Sequence, residues 1–142
     1  FAPIELGNLD AKRDWSDSED FVDGVWKMLN QEKPKDYVLS SNETHTIREF
    51  INKAFAAVNI DGVWHGNGIN EELSLPNYLV EEHDICSSVL VKINPKFYRP
   101  AEVDLLLGDS NPARQELGWQ PKISFDNLVE RMVKYDVDNF KI

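Results

Sequence analysis

The 142 residues contain one cysteine, Cys86, so no disulfide can close within the chain, and a lone thiol fits a reducing, cytoplasmic setting. Long apolar runs are missing too: none approaches the roughly 18 residues of a membrane span. The opening Phe1-Ala2-Pro3-Ile4-Glu5-Leu6 lacks the basic segment and apolar stretch of a leader and does not start with Met, which reads as a piece of something longer. Positive charge is scarce, with 15 Lys and Arg against 25 Asp and Glu, a net charge of −10. That balance argues against general affinity for nucleic acid or an anionic membrane. A small anionic ligand needs only a few local arginines, and Arg13, Arg48, Arg99, Arg114 and Arg131 are present. No Gly-x-Gly-x-x-Gly follows a strand, and there is no Walker loop. His45, His65 and His83 stand apart without ligand spacing or a cysteine pair, so they read as surface or loop histidines and no metal site is expected. Cys86 has no basic neighbour to activate it. Asp104 and Asp109 imitate an acid–base pair, but solvated loop carboxylates explain them equally well. The sequence holds no self-sufficient catalytic centre.

What is present is core material for one domain: 42% hydrophobic residues and four tryptophans. Apolar residues at helical spacing predict helices over 20–31, capped by Ser16 or Ser18, over 46–58, opened by a Thr46/Glu49 capping box, and over 125–140, capped by Ser124. Pro112 and Gly118 bound a shorter helix. Tyr37-Val38-Leu39-Ser40 and Val63-Trp64-His65 read as strands flanking the second helix, a βαβ unit with parallel strands. Val89, Val91 and Ile93 predict another strand. Residues 1–18 read as a loop, and 66–88 as a mobile acidic loop. The class is α/β.

Chemistry concentrates at Lys96-Phe97-Tyr98-Arg99-Pro100-Ala101-Glu102-Val103-Asp104. Arg99 and Glu102, three apart, fall on one side of a helical turn. They are either a surface pair worth well under about 1 kcal/mol or a site in which the arginine forks onto phosphate while the carboxylate accepts sugar hydroxyls.

Four stretches in order give this pair a context. Leu6-Gly7-Asn8-Leu9-Asp10-Ala11-Lys12-Arg13-Asp14-Trp15, His45-Thr46-Ile47-Arg48-Glu49-Phe50, Tyr98-Arg99-Pro100-Ala101-Glu102-Val103-Asp104 and Leu117-Gly118-Trp119-Gln120-Pro121 closely resemble motifs of GDP-mannose 4,6-dehydratases. These are extended short-chain dehydrogenase/reductases, with an N-terminal Rossmann domain for NADP and a C-terminal substrate domain. The resemblance implies that residues 1–142 are one partial, GDP-sugar-binding C-terminal domain with the Rossmann core absent, not catalytic in isolation. Family enzymes convert GDP-D-mannose to GDP-4-keto-6-deoxy-D-mannose and water, the first step towards GDP-fucose-type sugars. NADP and the catalytic Tyr-x-x-x-Lys then belong to the missing half, and no cofactor is expected on this chain alone. Carried over residue by residue, Arg13 and Arg99 contact the diphosphate from two sides and Glu102 holds the ribose hydroxyls. The implied partners are a GDP-sugar, the Rossmann half in cis or trans, and further copies of the chain in a homo-oligomer. Ser16-Asp17 departs from the family's Gly-His and adds a negative charge expected to oppose the anion. Together with the acidic loop, that motivates a second reading as a non-catalytic nucleotide-sugar-binding or interaction module. A third is another sugar-nucleotide enzyme of the group, an epimerase or 4-reductase.

Overall fold

A computed structural model describes residues 2–83, 88–98 and 105–140. Its main sheet has the order β1 (Ile4–Leu6), β6 (Val89–Ile93), β5 (Glu72–Ser74), β4 (Val63–His65). β1 runs parallel to β6, with Ile4 opposite Val91 and Leu6 opposite Ile93. β5 lies antiparallel between β6 and β4. Leu73 and Val91, opposite each other across β5 and β6, are fully buried and form a core with Leu9, Ile51, Leu75, Leu90 and Ile93. Leu90 is buried although its neighbour Val91 points to the opposite face, so β6 is covered on both sides, as befits its place inside the sheet.

The helices follow their caps. α2 (Ile47–Ala56) starts in a reciprocal capping box: Glu49 N–H donates to Thr46 Oγ1 at 3.1 Å, and Thr46 N–H donates to Glu49 Oε2 at 2.8 Å. Asn59, at φ 59°, turns the chain away beyond its end. α4 (Asn111–Leu117) has proline in its first turn and ends on Gly118 in the left-handed region. α5 (Phe125–Asn139) is capped by Ser124 and packs against α2. Between them sits an aromatic group: Trp15 lies 5.4 Å from Phe50 and 5.6 Å from Phe125, and His45 stacks on Phe125 at 3.9 Å. His45 is thus a packed, half-buried ring, not the surface or loop histidine its sequence neighbours suggest.

α1 (Ser18–Leu29) packs against α4 and carries a second anchor. Trp119 is completely buried, and its Nε1–H donates to Asp20 O at 2.8 Å. The buried Asp20 Oδ2 accepts from Lys122 N (2.9 Å) and Ile123 N (3.1 Å), so the turn after Trp119 is held by one carboxylate. Gly24 makes this contact possible: a Cβ there would stand 3.0 Å from Trp119 Nε1 and 2.6 Å from Leu39 Cδ1.

Several sequence expectations are corrected. Residues 37–40 form no strand: among the described residues they have no ladder partner, and β4 pairs antiparallel with β5, so the parallel βαβ unit does not form. The segment is moored by side chains instead, with Tyr37 Oη donating to Glu116 Oε2 at 2.8 Å and Lys35 pairing with the same carboxylate. Those bonds, Lys35 before Tyr37, hold Glu116 below the usual carboxylate range. Residues 1–18 contain β1 and a second short strand, β2 (Lys12–Arg13). Within 66–88, expected to be an acidic loop, β5 occupies an inner sheet position and α3 (Asn77–His83) follows. Periodicity missed β5 because only Leu73 and Leu75 in Glu71-Glu72-Leu73-Ser74-Leu75 carry the apolar signal. The N-cap of α1 is Asp17, not Ser16 or Ser18.

Because Leu73 fills the centre of the sheet, Leu73→Ala should destabilise the chain by about 2–5 kcal/mol, measured as a lowered denaturation midpoint. A loop residue at that position would move it by less than about 0.5 kcal/mol.

Candidate anion-binding site

The chain places Arg13 through backbone pairing. β2 is antiparallel to β3 (His45–Thr46), with Arg13 opposite His45 and Lys12 opposite Thr46. On the other side Lys12 bridges Leu105 in parallel fashion. Arg48 N–H to Leu9 O (2.9 Å) and Ile47 N–H to Ala11 O (3.3 Å) tie the same stretch to the start of α2. At its beginning, Gly7 lies against the backbone of Phe97 and Tyr98, so closely that any Cβ would collide with the Phe97 carbonyl. The first motif therefore touches the chain just before the Arg99–Glu102 motif at Gly7, and just after it at Lys12.

Arg99 and Glu102 themselves lie outside the described residues. Arg13 lies within them and donates from Nη1 to Lys12 O at 2.8 Å. Arg13, Asp14 and Ser40 on one side and Leu106, Leu107 and Gly108 on the other line a cleft of about 380 Å³. A larger recess of about 770 Å³ lies between the start of α1 and the second half of α5, but its arginine is engaged in the wall itself. Arg131 Nη1 meets Asp17 Oδ2 at 3.0 Å and Nη2 meets Glu19 Oε1 at 3.1 Å. The Arg13 cleft is the one flanked by the first motif and by the residues after the Arg99–Glu102 motif.

The other described arginines also serve the fold. Arg48 forks onto Glu71 with Nη1 at 2.5 Å and Nη2 at 3.0 Å, reaches Asp10 at 3.1 Å, and lies over the Trp64 ring at 4.8 Å. Glu71 first, then Asp10, raise its pKa against the opposing effect of burial. Arg114 donates to Ser110 Oγ and Ser41 O, each at 3.1 Å. Among the described residues Arg48, Arg114 and Arg131 are engaged in such contacts, and neither Arg48 nor Arg114 lines the cleft.

Asp17 does not oppose an anion as its sequence position suggests. It is 5% exposed, its Oδ1 accepts from Glu19 N at 2.8 Å, and its Oδ2 pairs with Arg131. Both the start of α1 and the guanidinium offset its charge, and it lines the recess by α5 instead of the Arg13 cleft.

Sequence reasoning missed the polar residues beside the cleft. Asp14 Oδ1 accepts from Ser41 Oγ at 2.6 Å and Ser41 N at 3.1 Å, while its Oδ2 is buried without a hydrogen-bond partner among the described residues. Ser40 Oγ stands 2.8 Å from Gly108 O, and Asn42 Oδ1 accepts from Ser110 Oγ at 2.9 Å. The only signal was Ser-Ser-Asn before a turn, which Asn42 begins at φ 65°. Among the described residues no group of three His, Cys, Asp or Glu side chains is placed to hold a metal ion.

The sequence profile of the family described as GDP-mannose 4,6 dehydratase matches residues 2–132. The chain is 45% identical over 135 residues to the GDP-mannose 4,6 dehydratase of Drosophila melanogaster, covering 95% of this chain and 32% of the relative. It is 46% identical over 138 residues to that of Dictyostelium discoideum, covering 97% and 36%. The human enzyme is 42% identical over 95% of this chain and 34% of its own length. Among solved structures, UDP-glucose 4-epimerase from Bifidobacterium longum with NAD+ and UDP superposes with a TM-score of 0.67 at 15% identity, covering 98% of this chain and 36% of that one. RMD from Pseudomonas aeruginosa with NADPH gives 0.66 at 16% identity, covering 93% and 35%. At such identities the structures report the fold. The chain spans about a third of the length of the curated relatives it matches.

Asp17→Ala should cost about 1–2 kcal/mol through loss of the α1 cap, with part of that recovered in Asp17→Asn, which keeps an acceptor. Thermal melts of the two variants against the parent chain provide the comparison, and equal stability of all three would contradict the role given to the carboxylate.

Proposed function

The chain belongs to the GDP-mannose 4,6 dehydratase family, and on that footing we propose that it forms the C-terminal, GDP-sugar-binding portion of such an enzyme. The single observation carrying this reading is that the Arg13 cleft sits where the first motif meets the chain on both flanks of the Arg99–Glu102 motif, at Gly7 and Lys12. Diphosphate oxygens are acceptors suited to a guanidinium fork, and a ribose diol suits a carboxylate acceptor. Arg13 takes the diphosphate from one side, Arg99 takes it from the other, and Glu102 receives the ribose hydroxyls. In the whole protein the substrate so held is GDP-D-mannose, which loses water to give GDP-4-keto-6-deoxy-D-mannose.

The described residues do not fit a dinucleotide. Such a cofactor needs a glycine-rich strand-to-helix turn whose amides face the pyrophosphate. Here the longer helices α1, α2 and α5 each begin with an amide taken by the cap's own side chain, from Asp17, Thr46 and Ser124. NADP is therefore assigned to a part of the longer protein outside these residues, and this chain's contribution is to bind and orient the nucleotide end of the sugar donor.

The apolar face of α1 supports a partner. Val22, Trp26 and Leu29 are 68%, 66% and 75% exposed. We assign this face to the dinucleotide-binding half, in cis or in trans; on the chain alone it drives self-association into a homo-oligomer. Among the described residues no helix is long and apolar enough to cross a membrane, and a cytoplasmic location remains part of the proposal. The second reading, a non-catalytic nucleotide-sugar-binding or interaction module, drew on the added charge of Asp17 and on the acidic loop; Asp17 pairs with Arg131, and β5 and α3 occupy much of the loop, so both motives weaken.

Calorimetric titration with GDP tests the assignment. Binding that weakens by at least about tenfold in Arg13→Ala and in Arg99→Ala is the expected result, the loss typical of a hydrogen bond to a charged group. A folded chain that gives no heat with GDP, or that binds equally well after both substitutions, would overturn it.

A further inference from the structure

The two walls of the Arg13 cleft come from stretches about 90 residues apart, and one tripeptide touches both. We propose that Ser40-Ser41-Asn42 is a brace that sets the separation of these walls, and that Ser41, acting through Asp14, is a positioning residue for Arg13.

On the Arg13 side, Ser41 presents both its N–H and its hydroxyl to one oxygen of Asp14, at 3.1 and 2.6 Å. The hydroxyl has one proton and a second acceptor, Glu43 O, at 3.1 Å. The shorter, charge-assisted bond to the carboxylate takes it, and Glu43 N–H donates back to Ser41 Oγ at 3.0 Å. Asp14 is the residue after Arg13, so this pair fixes the backbone directly behind the guanidinium.

On the opposite side, Gly108 approaches so closely that a Cβ there would stand 2.9 Å from Ser40 Cβ and 2.9 Å from Val38 Cγ1. Ser40 Oγ lies 2.8 Å from Gly108 O. Asn42 Oδ1 accepts from Ser110 Oγ, which in turn receives Arg114 Nε–H at 3.1 Å. Arg114 Nη2 then closes the circuit by donating to Ser41 O. The brace can be short because Asn42 adopts φ 65°, which turns its side chain back toward Ser110 and Ser40. Asparagine tolerates that conformation better than most residues.

No ligand contact is assigned to Ser41. Its effect runs through preorganisation: an arginine held before the anion arrives loses less freedom on binding than one that must be ordered then. This inference rests on the Arg13 reading for its functional consequence, but the brace itself is structural and is read without ligand.

The experiment is hydrogen exchange by mass spectrometry on the whole chain, with GDP titration of the same samples. Ser41→Ala should speed exchange at least about fivefold in peptides covering 12–15 while leaving β5 and β6 at the parent rate. Ser41→Thr, which keeps the hydroxyl, should restore protection. Asn42→Gly, which keeps the backbone free to hold φ 65°, should loosen 105–110 even if Ser41→Ala folds poorly. GDP affinity should fall about fivefold in Ser41→Ala, and this loss should vanish when Arg13 is already alanine. Unchanged exchange at 12–15, or faster exchange everywhere, overturns the brace. A loss of affinity that persists in the Arg13→Ala background overturns the positioning role. Local loosening with no GDP binding by the parent chain would leave the brace standing and sink the ligand assignment to Arg13.

Discussion

Three aspartates, at 14, 17 and 20, each reach across the chain to hold a distant segment. Asp14 takes Ser41, 27 residues on; Asp17 takes Arg131, 114 residues on; Asp20 takes the amides of Lys122 and Ile123, just over 100 residues on. A carboxylate removed from water is costly unless donors replace its hydration. Asp17 and Asp20 are 5% and 4% exposed, so their donors must be in place whenever the chain is folded. The spacing of three matters. Asp17 closes the irregular stretch and opens α1, and Asp20 falls in that helix's first turn. One short piece of sequence thereby organises the middle, the last helix and the turn after Trp119.

This arrangement makes the proposed anion site compatible with a net charge of −10. Formal charge counts every carboxylate equally, whereas the acids nearest Arg13 in sequence already have donors, Asp17 as a buried group and Asp10 at the surface. Asp10 is held by Arg48, Asp14 by Ser41 and Asp17 by Arg131. More distant acids on the surface are screened over roughly 8 Å at physiological ionic strength. What an incoming phosphate meets at the cleft is set by the few groups that line it.

The legibility of the fold in the sequence divides along the same physical line. Helices signal themselves locally: Thr46 and Glu49, Ser124, and the Pro112 and Gly118 pair stand within a few residues of the ends they define. α2 and α5 were readable for that reason. Strands depend on partners elsewhere. β1 and β5 are three residues each, too short for alternation to declare itself, and β2 and β3 have two residues apiece. Tyr37-Val38-Leu39-Ser40 shows the reverse error, since it has the composition of a strand but no partner among the described residues. At the candidate site, Arg13 is nominated by its motif and lines the cleft, while Arg99 and Glu102 lie outside the described residues. Ser41 and Asn42 carry no chemistry on their own and acquire a role only when Asp14 and Ser110 come within reach. Asp17 was misjudged because its partner lies in the last helix, where no local pattern links the two.

Among the described residues, much of the first, second and last motifs is architectural. In the second motif, Arg48 clamps Glu71 and Asp10, His45 and Phe50 join Trp15 of the first motif around Phe125, and Trp119 of the last is buried against α1. Each of these contacts fixes a piece of backbone that bears on the Arg13 strand or on the helix that follows it. A guanidinium positioned for a diphosphate gains affinity only if its own backbone is already ordered. The order here is distributed over three motifs and three buried or bonded aspartates.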